Sequence, residues 1–223
     1  YMVKAYAYWA QFDESKWNEI PALADKIKTE GKRSLISGKG NGKENYTGVF
    51  KIENNWGSEY LWSVTSGLQG GSEFVGVILE NKGWGVFNGW GYFQPTEELY
   101  QAYEANDPRR EATILKFGDK FTYFGKERAY YSTNSLSGFQ INKYMEPYSY
   151  GTNEDASTNL MINQSGDYPT TKLNLSLLRY AEILLFKAEA LIKLGKNAEA
   201  AVPLNEIRNR VGLPSIASPT MDD

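Results

Sequence analysis

The chain contains no histidine and no cysteine in its 223 residues. Without histidine, Ser-His-Asp and Cys-His nucleophile systems and histidine-ligated metal sites are excluded. Without cysteine, so are disulfides, thiol catalysis, zinc ribbons and iron–sulfur clusters. A large excess of one charge sign is missing too. Lys and Arg number 24 against 27 Asp and Glu, a net charge of −3. That argues against nucleic acid as a partner, because such affinity rests largely on clustered Lys and Arg neutralising phosphates. Long hydrophobic runs are also lacking. The most apolar stretch, Leu175 to Leu194, is interrupted by Arg179, Glu182, Lys187, Glu189 and Lys193. It reads as an amphipathic helix and not as a membrane span. No phosphate or calcium loop occurs, and no cofactor is expected.

What is present is a globular composition, 41% hydrophobic and 23% charged, with an aromatic share of 14% carried by 6 Trp, 16 Tyr and 10 Phe. Tyr and Trp beyond what a core requires suggest a recognition surface, since each joins a flat apolar face to a polar handle. The chain opens at Tyr1 inside a helical pattern, so it is expected to be a mature or truncated product.

Helical signals stand at both ends. Asp13 or Ser15 can cap a helix in which Trp17, Ile20, Leu23, Ala24 and Ile27 share a face, with Gly31 as its stop. Near the other end Leu177, Ala181, Leu184, Ala188 and Leu191 recur in steps of four and three, widened by Leu178, Leu185 and Ile192. Gly195 ends that helix and Asn197 can cap the next, which carries Ala200, Ala201, Leu204 and Ile207. Pro21 and Pro203 each fall six residues after a candidate cap and are expected inside their helices. These small and large positions match the packing of a tetratricopeptide repeat, a unit that must stack on neighbours. The expected organisation is a helix pair over residues 1–31, an irregular, partly β region over 32–171, and a second helix pair over 172–214.

In the middle region 14 of the 21 Gly lie between Gly31 and Gly91, and four of the six Trp between Trp56 and Trp90. Strand-like runs, Tyr60 to Val64 and Phe74 to Leu79, alternate with Gly-rich turns. Thr96 can cap a short helix that Asn106-Asp107-Pro108 is expected to close. Long irregular segments held by a scaffold are where binding function usually lies.

Three motifs in order resemble the SusD/RagB family: Trp56-Gly57-Ser58-Glu59-Tyr60-Leu61-Trp62-Ser63-Val64; Pro95-Thr96-Glu97-Glu98-Leu99 with Asn106-Asp107-Pro108-Arg109-Arg110; and Leu178 to Leu191 continued by Leu204-Asn205-Glu206-Ile207-Arg208-Asn209-Arg210-Val211-Gly212-Leu213-Pro214. The resemblance implies a mainly α, SusD-like fold, with tetratricopeptide-type helix pairs supporting the irregular ligand-binding region as a single domain incomplete at both ends. It also implies a Bacteroidota cell-surface, outer-membrane lipoprotein that captures oligo- or polysaccharide. The implied partners are a SusC-type TonB-dependent transporter, to which the glycan is delivered, and the membrane, through an N-terminal lipid anchor outside this chain.

The leading site candidate runs from Asn81 to Gln94. Glycine flanks both Trp84 and Trp90, which lets a bulky ring stand clear of the backbone. Trp84, Trp90 and Tyr92 would stack on sugar faces while Asn88 and Gln94 meet hydroxyls. Tyr130 and Tyr131 form a second candidate, followed by Tyr144, Tyr148 and Tyr150. Trp56 and Trp62 are expected to pack in a structural strand, and Trp9 and Trp17 in the first helix pair. Acidic residues suggest no enzyme: Glu97 and Glu98 suit a helix start, Asp107 a turn with Arg109 or Arg110, and Arg179 with Glu182 a surface pair. A peptide- or protein-binding relative of the same helical type is the alternative. Its site should add convergent Arg or Lys, whereas a glycan site should be flat, aromatic and amide-lined.

Overall fold

The computed structural model describes residues 1–65, 91–123, 126–130, 135–144 and 173–222. In chain order its elements are α1 (Met2–Trp9), α2 (Ile20–Thr29), α3 (Gly42–Thr47), β1 (Tyr60–Val64), α4 (Glu97–Gln101) and α5 (Pro108–Thr113). There follow β2 (Ile114–Lys116), β3 (Lys120–Tyr123), β4 (Lys126–Ala129), β5 (Phe139–Ile141), β6 (Leu175–Arg179), α6 (Tyr180–Lys193) and α7 (Asn197–Arg210). The architecture is mainly α. The described strands form only two-stranded sheets: β1 with β6, β2 with β5, and β3 with β4. No helix among the described residues is long and apolar enough to cross a membrane.

Two compact units divide the chain. The first comprises residues 1–45, 56–62 and 176–223, and the second residues 46–55 and 63–175. In the first, the helices of the two chain ends share one core. Val3, Ala7 and Ala10 from α1 and its end, Trp17, and Ile20 and Ala24 of α2 pack with Ala181, Ile183, Leu184 and Ala190 of α6 and Ile207 of α7. Each large apolar side chain buried here contributes about 1.5–3 kcal/mol. Ion pairs rim the core: Lys4 with Glu182 at 2.8 Å, Lys187 with Asp25 at 2.6 Å, and Lys28 with Glu206 at 2.9 Å.

Several local expectations are corrected. Asp13 does cap, accepting from the Ser15 N–H at 3.1 Å, but the segment it opens is a 3-10 helix, Glu14–Glu19. Pro21 therefore stands in the first turn of α2, where its missing N–H costs nothing. Pro203 does lie inside α7. Asn197 makes no cap; its side chain donates to the Pro219 carbonyl at 2.9 Å. Leu177 and Leu178 belong to β6, and Leu185 is exposed, so the buried stripe of α6 runs through Ala181, Leu184, Ala188 and Leu191. Gly195 and Gly212 end α6 and α7 at φ +73° and +79°.

Arg179 does not pair with Glu182. It reaches Glu59, a carboxylate with no exposed surface that also binds Arg210 Nη1 at 2.8 Å and accepts from the Ile36 N–H at 2.9 Å. Trp17 is buried, but Trp9 is half exposed, stacked on Tyr6 at 6.1 Å with the Lys16 ammonium 4.6 Å from its ring. Trp56 and Trp62, expected to pack, are exposed too. Trp56 sits at φ +66°, and Trp62 meets the Tyr1 ring edge-on at 5.1 Å.

In the second unit β2 and β5 pair antiparallel, with Ile114 opposite Ile141, Leu115 opposite Gln140 and Lys116 opposite Phe139. The pair contributes Ile114, Leu115 and Phe139 to the buried set. The hairpin β3–β4 sets Lys120 opposite Ala129 and Tyr123 opposite Lys126.

Candidate ligand-binding site

The described part of the leading candidate segment is Gly91 to Gln94. Gly91 adopts φ +61°, a turn that a side chain would strain. Tyr92 and Phe93 follow, 70% and 60% exposed, before Pro95 is buried and the Thr96 hydroxyl accepts from the Leu99 N–H at 3.3 Å to open α4. Two adjacent aromatic residues are thus kept at the surface by a glycine turn on one side and a buried proline on the other.

Gln94 fastens this segment. Its Nε2 donates to the Gly91 carbonyl at 3.0 Å, and its Oε1 accepts from the Ser135 hydroxyl at 3.0 Å and the Ser137 N–H at 3.2 Å. The same Ser135 hydroxyl lies 2.7 Å from the Phe139 carbonyl. Expected as a ligand for sugar hydroxyls, Gln94 is committed to holding the 135–139 turn beside Tyr92 and Phe93. Leu136, between the two serines, is fully exposed.

Tyr130 is wholly buried. Its backbone closes the β3–β4 hairpin, the N–H donating to Asp119 at 2.8 Å and the carbonyl accepting from Gly118 at 2.7 Å. A ring with no exposed surface presents no face to a ligand, so Tyr130 is reassigned to packing. Tyr144 likewise packs edge-on against Phe50 at 5.1 Å, and Phe50 against Tyr46 at 5.4 Å, with the Lys143 ammonium 5.1 Å from both the Tyr46 and Phe50 rings. Trp84, Asn88, Trp90 and Tyr131, and with them the run Phe74 to Leu79, lie outside the described residues.

The acidic residues near the site have structural work. Glu97 accepts from the Gln101 amide at 2.6 Å. The Glu98 carboxyl is held below its ordinary range by its own backbone N–H and then by the Thr96 hydroxyl. Asp107 is buried and caps α5, accepting from the Arg109 N–H at 2.9 Å and from its guanidinium at 2.6 and 3.0 Å. Burial pulls the Arg109 guanidinium down, but the Asp107 hydrogen bond and charge leave it raised. Asn106-Asp107-Pro108 therefore opens a helix as well as ending the preceding turn.

Phe93 and Tyr100 were not singled out by the sequence. Phe93 lies inside the aromatic segment and was legible there. Tyr100, stacked on Phe139 at 5.0 Å, was not, because its partner comes from a distant strand.

Residues 32–223 match the SusD family. SusD-like protein P38 of Formosa agariphila is 48% identical over 50 residues, which are 22% of this chain and 10% of that protein. Surface glycan-binding protein A from Bacteroides uniformis aligns with a TM-score of 0.67 at 24% identity, over 99% of this chain and 44% of its own. Surface glycan-binding protein A from Bacteroides thetaiotaomicron, in complex with laminarihexaose, aligns at 0.69 and 21% identity, over 100% and 48%. A SusD superfamily protein from Parabacteroides distasonis aligns at 0.69 and 20% identity, over 98% and 44%. The chain spans less than half the length of these solved structures, and at such identities the likeness is one of fold. With the family match covering most of the chain, and the helical layer and irregular second unit both present, this chain belongs to the SusD family.

Proposed function

We propose that this chain is part of a non-catalytic glycan-binding protein of the bacterial cell surface. It captures oligo- or polysaccharide and passes it to a SusC-type TonB-dependent transporter, with an N-terminal lipid holding the whole protein at the outer membrane. The observation that carries the reading is the exposed pair Tyr92 and Phe93, fastened by Gln94 at the end of the segment that contains the glycine-flanked Trp84 and Trp90. Sugar rings bury their C–H faces on such aromatic rings, and a few polar groups set orientation. Family membership and the laminarihexaose complex of a relative support the same reading.

Affinity of this kind falls at about mM to μM, roughly −4 to −8 kcal/mol, weak enough to release cargo. Isothermal titration of the full-length protein against laminarihexaose, xylogluco-oligosaccharide and a peptide panel tests it. We expect one glycan class to bind and Tyr92→Ala or Phe93→Ala to weaken it about tenfold, the equivalent of about 1.4 kcal/mol. Glycan binding that withstands both substitutions but is lost in Trp84→Ala or Trp90→Ala moves the stacking face within the segment. Peptide binding alone overturns the glycan reading. Co-purification from detergent-solubilised outer membrane, with the partner identified by mass spectrometry, checks delivery: the expected partner is a SusC-type barrel, and recovery of none argues against a transporter role.

A further inference from the structure

The Tyr100 ring of α4 lies against Phe139 of β5, the centroids 5.0 Å apart and the planes 26° from parallel. Two cations gather on that ring. The Arg110 guanidinium of α5 is 5.0 Å from its centroid, and the ammonium of Lys116, the last residue of β2, is 5.2 Å away. Attraction to the ring quadrupole accounts for either cation singly. It does not explain why two like charges collect on one ring, since they repel each other and the ring neutralises neither.

The nearby carboxylates whose contacts are resolved do not neutralise them. Asp107 is bound to Arg109, Glu97 accepts from Gln101, and Glu98 is turned to its own helix start. Asp119 accepts from the backbone N–H of Lys116 at 2.8 Å, not from its ammonium. Among the described residues neither Arg110 nor Lys116 forms an ion pair. Arg110 also keeps its Nε buried without a hydrogen-bond acceptor. The cations are joined to the exposed aromatic segment by contacts already described: Tyr100 to Phe139, the Phe139 carbonyl to Ser135, and Ser135 to Gln94 beside Phe93.

We propose that Arg110 and Lys116 form an anion-recognition subsite, so that the glycan taken up is an acidic polysaccharide bearing carboxylate or sulfate groups. The inference rests on the glycan reading given above. A guanidinium fork matches the paired oxygens of either group, and an ammonium adds a compact second charge. An acidic polysaccharide asks for apolar ring faces and cations along one bound chain, and these linked segments carry both. Convergent cations are also what a peptide carboxylate asks for; the exposed Tyr92 and Phe93 favour a sugar, and the acidic peptide in the test decides between the two.

The test is titration of the full-length protein with a neutral β-glucan, a polyuronate and a sulfated galactan, at low and high salt, and with an acidic peptide. Lys116→Gln and Arg110→Gln are compared after circular dichroism shows that each still folds. Lys116 is exposed, which makes its variant the safer of the two. We expect an acidic polymer to bind more tightly than the neutral one and to weaken with salt, and each variant to lose about tenfold of that affinity. Which acidic polymer binds distinguishes carboxylate from sulfate. Equal binding of neutral and acidic polymers, or acidic binding unchanged in both variants, overturns the subsite and leaves glycan capture standing. Binding of the peptide alone, or of nothing in the panel, overturns both.

Discussion

Glu59 shows how much one residue can organise. Its carboxylate, wholly removed from water, gathers Arg179 from the end of β6, Arg210 from the end of α7 and the Ile36 N–H, while its own carbonyl accepts from the Tyr180 N–H at 2.8 Å. Removing one member of a buried charge cluster leaves the others desolvated and uncompensated. We predict that Glu59→Gln lowers stability by about 3–5 kcal/mol in urea unfolding; a loss below about 1 kcal/mol would show the cluster to be replaceable by ordinary polar contacts. The sequence carries Glu59 only as one residue of a family motif and does not mark it as a buried charge, because its partners are distant along the chain. Arg179 and Glu182 do have helical spacing, but Arg179 precedes the helix in extended backbone, φ −121° and ψ 157°, so the pair never forms.

A second residue sets an alkaline limit. Burial, and then the charges of Glu206 and Asp25, push the Tyr180 phenol up to about 12 from its ordinary 10.0. The folded chain holds that proton more tightly than the unfolded chain. The associated stability is therefore whole below pH 10 and is lost as pH climbs from 10 to about 12, about 3 kcal/mol in all. Tyr180→Phe should remove one late tyrosinate transition near pH 12 from the absorbance titration and flatten the alkaline fall in stability relative to the parent. Parallel falls in both proteins would assign the effect elsewhere.

Among the described elements, α5 leans on one side chain for both its cap and its charge balance. Asp107 both caps it and neutralises Arg109 while 3% exposed. Asp107→Ala should cost about 3 kcal/mol or more, and Asp107→Asn less, because the amide oxygen still caps. Equal losses in the two variants would mean that charge alone matters. Asp107 before Pro108 was legible as a boundary; the structure shows that the extended backbone ending one turn, φ −69° and ψ 111°, is also the conformation of a helix cap. Gln94 is a tertiary cap of another kind, tying one irregular segment to another. We expect Gln94→Ala to speed hydrogen exchange at the Ser137 and Phe139 amides, read by mass spectrometry, and unchanged exchange would remove its role as a clamp. Its sequence context, beside exposed aromatics, suggested a ligand contact, and only the position of Ser135 and Ser137 reveals otherwise.

For the whole molecule, the deciding fact is that the first helices and the last ones bury each other's apolar faces. The apolar face of α6 is covered where Ala181 and Leu184 share one buried cluster with Val3, Trp17 and Ile20. Deleting residues 1–31 should therefore uncover it and give aggregates on size-exclusion chromatography; a monodisperse, cooperatively melting product would contradict this. Spacing along α6 and α7, the stops at Gly195 and Gly212, the Thr96 cap and strand β1 were all readable, because short-range periodicity and glycine chemistry determine them. Which aromatics face water was not. Trp17 and Tyr130 are buried, whereas Trp9, Trp56 and Trp62 are exposed, and composition treats them alike. The sequence by itself determined the helical class, the family motifs and the excluded chemistries. The tertiary structure alone decided the core formed from the two chain ends, the partners of Glu59 and the gathering of Arg110 and Lys116 on Tyr100, because each joins residues that local preferences cannot bring together.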